Sequence, residues 1–448
     1  MSIKINIKQL LVVCVYLLSV NVIFAETLVD FASSPNPVGS GARAIGMGGA
    51  FIAIADDATS ASWNPAGLCQ LESSEFSIVG NFTHMIEDIF PSITLGAKGK
   101  QSIDRNDLNY LSMSTRFKVL ERFMVVSINY QKLYYFNKEW DFPISMKGIE
   151  LPMFGTADIS GEQSLYQDGS LSAIGLAWSV QWSPKIAIGM TLNVWDDEIC
   201  NNKWKEENTL KNAGMYVDMF GIKDFMPIED ASVSDEYSFD GVNINFGIMW
   251  KPTDDFTFGF VFKSPFKADI EHSKYEDDSF LGNEKENMKI PASYGIGVAY
   301  NFSDSFRMSA DIYRTDWQNF ISIDSNGQET SPVTKMSAND SEVDQTTQLR
   351  LGAEYLFINQ QKRFLIPLRA GLFYDPSPSN GSPDDYWGFS LGSGFMQGRY
   401  MFDIAYQARF GNDVGDSIVP GHNFSMDVEE HQLFFSFIVH FNELKKKG

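Results

Sequence analysis

The chain has 448 residues and a formal net charge of -22, with 44% hydrophobic and 14% aromatic residues, among them 36 Phe. A mean hydropathy of -0.16 excludes a bundle of membrane helices, whereas a transmembrane barrel shows an apolar residue to lipid only at every second position. Acidity of this size excludes nucleic acid as a partner, because phosphate neutralisation needs a basic face; it suits acidic surface loops.

Met1 to Ala25 carries Lys4 and Lys8, then the apolar run Leu10 to Leu18, then Ile23-Phe24-Ala25 as a cleavage site. That order predicts a secretory signal peptide and an exported chain. Cys14 leaves with it, and the remaining Cys69 and Cys200 make neither a disulfide framework nor a metal cluster. Residues 26–72 form a glycine-rich segment whose centre, Asn36 to Leu68, is charged only at Arg43, Asp56 and Asp57. Gly46, Gly48 and Gly49 allow close backbone approach, so the segment suits a compact plug that needs a container. The run Gly39 to Ala44 satisfies a loose dinucleotide fingerprint, but no strand precedes it, and a cofactor is not expected.

Residues 73–441 supply the container, ahead of a short tail at 442–448. Phe256, Phe258, Phe260 and Phe262 alternate with Thr257, Gly259, Val261 and Lys263, and Tyr400, Phe402, Ile404 and Tyr406 alternate with polar partners. Period 2 predicts strands with one greasy face. About fourteen such strands are expected, from Ser73–Thr83 through Arg122–Phe136, Tyr237–Trp250 and Thr346–Phe357 to Glu430–Phe441, joined alternately by short turns and long polar links. This predicts an all-β fold, an antiparallel transmembrane barrel in the outer membrane. Tyr134, Phe136, Trp178, Trp182, Trp195, Trp250, Trp317 and Trp387 are expected in aromatic girdles at the membrane interfaces.

The run GARAIGMGGAFIAIADDATSASWNPAGL, with Asn64-Pro65-Ala66, resembles the N-terminal plug, or hatch, of the FadL/TodX family. So do SPFKADI from Ser264, IPASYGIGVAY from Ile290, DIYRTDWQNF from Asp311 and LRAGLFYDPSP from Leu368. The resemblance implies a fourteen-stranded barrel with the hatch in its lumen, carrying long-chain fatty acids or aromatic hydrocarbons across the outer membrane. It also implies a monomer in contact with lipid and lipopolysaccharide, and gating residues among Gly46, Gly48, Gly49, Asp56, Asp57, Asn64, Pro65 and Ala66. The alternative role is a barrel anchor of a secretion system, with the acidic loops as docking surfaces.

By strand parity Arg116, Arg307, Asp311, Arg350, Glu354, Arg369, Arg399, Asp403 and Arg409 point into the lumen. Buried charge has to be paired, so the favoured reading for any one arginine is an ion pair with another wall residue or with Asp56 and Asp57. Arg350 and Arg369 are the candidates for binding a fatty-acid carboxylate. The link Asn208 to Pro227 is apolar for a surface loop. Met215, Met219, Phe220, Phe225 and Met226 are expected on one or two short helices, where the resemblance implies a capture groove for hydrophobic substrate. The third strand has neither Gly nor Pro to kink it, but its alternation falters near Lys132, where a bulge would open the wall. The five histidines show no metal-ligand spacing, and the one conceivable barrel hydrolase pair, Ser436 with His440, lacks an oxyanion hole; no enzyme is expected.

Overall fold

The computed structural model describes residues 39–90, 99–151, 155–219, 222–418 and 424–441. The expected signal peptide, the start of the expected plug segment, the tail and Phe220 lie outside them.

Alternation turns into strands throughout. The wall strands are β1 (Glu75–Ile89), β2 (Gly99–Val119), β3 (Arg122–Tyr135), β4 (Gly155–Ser183), β5 (Ile186–Trp195), β6 (Ala231–Trp250) and β7 (Phe256–Lys263). They continue as β8 (Ser293–Ser303), β9 (Phe306–Thr315), β10 (Thr346–Asn359), β11 (Phe364–Tyr374), β12 (Tyr386–Gln397), β13 (Tyr400–Val414) and β14 (Met426–His440). Each pairs antiparallel with its neighbours in the wall, and β14 returns to β1 with Glu75 opposite His440, so the barrel closes with no free edge. In β7, Thr257, Gly259 and Val261 are buried while Phe256 and Phe258 stand outside; the same parity exposes Leu176, Ile296, Leu351 and Leu372. That outer face is the lipid contact of a membrane barrel.

Short turns such as Leu120-Glu121 and Pro184-Lys185 close one rim. The opposite rim departs from expectation, because its long links are largely ordered sheet. Lys138–Leu151, the outer half of β4, Lys203–Met219, Ile222–Pro227, the outer part of β6, and the hairpin Phe266–Glu276 with Ser279–Ile290 form a second antiparallel sheet above the membrane. Among the described residues, the Asn208 to Pro227 stretch is therefore strand and not helix. The alternation was hidden because its buried face also carries polar side chains. Glu206 and Asn208 accept hydrogen bonds from Gln167 (3.1 Å) and Gln163 (3.0 Å), so hydrophobicity alone shows no period.

The girdle expectation splits. Trp178, Trp182, Trp250 and Trp387 are exposed on the outer face, but Phe136, Trp195 and Trp317 are buried inside with Tyr134 packed against them. Together with Trp204, Phe239, Ile270, Met288 and Phe320 they form a second core under the extracellular sheet. The sheet roofs the barrel, so rings at these strand ends meet protein before they meet the interface.

His272, in this extracellular sheet, sits between Asp235 (Nε2, 2.6 Å) and Glu286 (Nδ1, 2.7 Å) with its ring 4.2 Å from that of Tyr237. Burial works against the imidazolium, but its hydrogen bonds to the two carboxylates outweigh it and raise the pKa to about 9. Stabilisation from this group is complete below its unfolded pKa of about 6.5 and is lost as pH rises through 9. Thermal melts of the folded protein should show stability falling between pH 7 and 9, a fall abolished in His272→Gln; an unchanged slope in that variant contradicts the assignment.

Candidate functional site: the plug and the lumen

Residues 39–71 lie inside the barrel. Helix α1 (Ala42–Gly46) and the single turn α2 (Ser60–Trp63) lead into a 3-10 turn, Pro65–Gln70. Pro65 opens the turn, and the Asn64 side-chain oxygen caps it by accepting from the Ala66 N–H at 3.2 Å. Gly48 (φ 67°) and Gly49 (φ 71°) reverse the chain after α1, a backbone region other residues reach only with strain.

Inward polar side chains hold the plug's backbone from around the ring. The Phe51 and Ile52 N–H groups donate to one oxygen of Asp311 at 2.7 and 2.9 Å. Ser436 accepts from the Ala42 N–H (2.7 Å), Ser390 from the Gly48 N–H (2.8 Å), and Ser309 donates to the Ala50 carbonyl (2.6 Å). On the other side Tyr110 donates to the Ala58 carbonyl (2.8 Å) and Thr191 to the Ala61 carbonyl (3.1 Å). Asn64 donates to the Ile248 carbonyl of β6 at 3.1 Å and to its own plug's Ile52 carbonyl at 2.9 Å.

Charge completes the seat. Glu354 meets three guanidiniums, those of Arg43 (3.2 Å), Arg307 (3.2 Å) and Arg369 (2.7 Å). Asp56 bridges Arg43 (2.6 Å) and Arg307 (3.2 Å), and Asp403 takes the far end of Arg369 at 2.6 Å. Asp57 accepts from the Thr59 N–H at 2.8 Å and from its hydroxyl at 2.6 Å. Arg350 donates to the Gly48 carbonyl (3.0 Å) and faces Asp375 at 3.5 Å. Both arginines singled out for a ligand carboxylate are thus engaged in seating the plug, as charge burial demands. Arg399 does not enter the lumen; it is exposed in the turn between β12 and β13. Nor do Ser436 and His440 meet: the imidazole lies 3.1 Å from Glu75, and the serine holds Ala42.

Where plug backbone touches wall, the wall is glycine, often in cross-strand pairs. Gly189 faces Gly247 behind Asn64 to Ala66, Gly259 faces Gly297 behind Ile52 and Ala53, and Gly352 faces Gly371 behind Met47 and Gly48. Gly46 lies against Gly392. Sequence reading missed these seats and the central place of Glu354. The available signal was glycine recurring at inward parity on successive strands.

Two cavities flank the plug. The one on the extracellular side, about 50 Å3, is lined by Leu133, Tyr134, Trp195, Phe266, Tyr313 and Trp317, with Lys263 Nζ 5.8 Å from the Tyr313 ring centre. The vestibule on the short-turn side is about 1410 Å3 and charged. The loop residues named for capture are divided: Met215 is buried, Phe225 is exposed and packs tilted against Tyr216 with ring centres 4.9 Å apart, and Met219 and Met226 belong to the strands of that hairpin. In the wall, β3 slips register against β4 between Lys132 and Tyr134. Above Tyr110 opposite Gln131, β2 and β3 no longer pair, and a cleft of about 620 Å3 opens there beside Arg105, Lys132 and Tyr135.

A closed barrel of fourteen strands with its own N-terminal segment in the lumen defines a plugged outer-membrane channel. The chain belongs to the outer-membrane protein transport protein family (OMPP1/FadL/TodX), whose model matches residues 157–416. It is a family of transport channels for hydrophobic compounds, not of enzymes. Among solved structures, the chain is similar to a Pseudomonas aeruginosa FadL homologue at 14% identity and TM-score 0.58, over 92% of this chain and 100% of that one. The Pseudomonas putida toluene transporter TodX matches at 14% identity and TM-score 0.53, covering 90% and 98%. The Ralstonia pickettii toluene transporter TbuX matches at 13% and 0.51, covering 91% and 100%. No curated protein sequence matches the chain.

Proposed function

We propose that this protein is a passive outer-membrane channel for hydrophobic small molecules that carry an anionic end, long-chain fatty acids above all. The plug acts as its gate, and substrate is gathered first at the extracellular sheet. The observation that carries the reading is the cavity over the plug, whose lining brings five aromatic residues and Leu133 together with Lys263. Rings take the chain and the ammonium takes the carboxylate, whereas a plain aromatic hydrocarbon has no use for the charge. At about 50 Å3 the cavity is a closed state, so a ligand enters by displacing side chains and leaves past the plug.

Uptake of labelled oleate and of toluene by cells expressing or lacking the protein tests this. A charged hydrogen bond contributes about 1.5–3 kcal/mol, so Lys263→Met should weaken oleate binding at least about tenfold while leaving toluene unchanged. Equal loss of both ligands would remove the carboxylate assignment, and uptake unaffected by deletion would remove the channel.

A further inference from the structure

We propose that the plug opens as a leaf: Asn64–Leu71 alone swings off the β4–β6 wall, while residues 42–57 stay fixed to β9–β14 as a permanent part of the barrel. This rests on the reading that the plug gates the channel, and it names the part that moves.

The plug's attachments are divided by chemistry. Residues 58–71 contain no charged side chain, so this half makes no ion pair with anything. The first part is held by the Arg43, Asp56, Arg307, Glu354 and Arg369 chain, by Asp311 on two N–H groups and by Arg350 on the Gly48 carbonyl. Breaking a buried ion pair strands a charge, and the second part has none to break; its charge-assisted bonds are those of Gln70 with Lys251 and of the Ala58 N–H with Glu75 (3.1 Å). Trp63 marks the boundary. Its indole donates to the Ser40 carbonyl at 2.7 Å and packs edge-on to Phe51, so it stays with the fixed part. Beyond it, the leaf touches the wall through Asn64 on Ile248, the Cys69 thiol 3.2 Å from the Ser179 hydroxyl, the Gln70 amide oxygen on Lys251, and Leu68 and Leu71 in an apolar cluster with Val125 and Ala177.

The leaf also stands where a passage is needed. Along the inner face of β5 and β6, Asn193, Asn243 and Asn245 line the upper cavity, and Ala187 and Met249 line the vestibule. Between them lie Thr191 and the Gly189–Gly247 pair, against which Asn64, Pro65 and Ala66 rest. Lifting the 3-10 turn from that seat joins the two cavities along one wall without disturbing the ion pairs opposite. Apart from Gln70 on Lys251, the bonds that have to yield with it are neutral: Asn64 to the Ile52 carbonyl, Gln70 to the Ile54 and Ala55 carbonyls, and Thr191 to the Ala61 carbonyl beside it.

The native Cys69 makes the test direct, since Ser179→Cys places a second thiol beside it. Copper phenanthroline would take two electrons and two protons from the thiols and lock the leaf to β4. In a Cys69→Ser, Cys200→Ser background, the pair Ala42→Cys and Ser436→Cys locks the fixed part to β14 instead. Each oxidised protein is compared with the same variant reduced. The expected result is at least a tenfold loss of oleate uptake under the first lock, reversed by reductant, and less than a twofold change under the second. Full uptake under the first lock, or loss under the second, overturns the proposal. Hydrogen exchange on the full-length protein gives a readout independent of transport. The Gly67 and Leu71 amides should exchange at least tenfold faster than those of Phe51 and Ile52, and equal protection overturns the leaf. If the wild type carries no oleate or toluene the channel reading fails by itself, while exchange still decides which part of the plug moves.

Discussion

Glu354→Leu should produce the largest change in this protein, a barrel that assembles but leaks. The carboxylate is 1% exposed and is the common partner of Arg43, Arg307 and Arg369. Replacing it with an apolar side chain of similar size leaves Arg43 and Arg307 sharing Asp56 and Arg369 with Asp403, and removing one partner of a buried pair costs about 3–5 kcal/mol. The wall is closed by backbone pairs all round and has no reason to fail with it. The loss should therefore fall on the plug. Planar-bilayer conductance for small ions and sensitivity to large hydrophilic antibiotics should both rise, and Glu354→Gln should do less because its amide oxygen still accepts. Conductance and melting temperature indistinguishable from wild type would show that the ion pairs do not hold the plug.

The second large effect is steric. At Gly371 a Cβ would stand 2.1 Å from the Gly48 nitrogen, and at its cross-strand partner Gly352 one would stand 2.4 Å from the Met47 carbonyl oxygen. The atoms in the way are backbone and cannot rotate aside, and Gly48 is itself in the left-handed region. Overpacking of a tight site costs about 1–3 kcal/mol, and here two backbones must part. Gly371→Ala is expected to expose residues 39–71 to added protease while the heat-modifiable barrel band on a gel persists. Gly80→Ala is the matched control, since its nearest neighbour outside the local chain would be 3.6 Å away. Equal protease resistance in the two variants would mean the glycine pairs are not seats.

Strand content was legible because a membrane wall imposes one rule on every strand: apolar side chains toward lipid and small or polar ones within. Phe256 to Lys263 is a strand over the span read from the alternation. The extracellular sheet obeys no such rule. Its inner face mixes Trp140, Trp204 and Leu210 with Glu206 and Asn208, whose hydrogen-bond partners lie some forty residues away on β4. No local pattern encodes that pairing, and strand order there is a matter of tertiary context. The inward charges were read correctly for Asp311, Glu354 and Asp403, but parity says which way a side chain points and not what it meets. Arg350 and Arg369 looked available for a ligand only while their partners were unknown.

By itself, then, the chain determined a wall and a plug. A period of two with grease on one side, joined alternately by short turns and long links, is the pattern of a membrane wall, and a glycine-rich, nearly uncharged segment has no core of its own to form. Only the folded barrel decided which arginines are spent on seating, which glycines face one another across strands, and that a roof of paired strands covers the mouth. Those facts depend on residues brought together from distant parts of the chain, and coincidence in space leaves no trace in local periodicity.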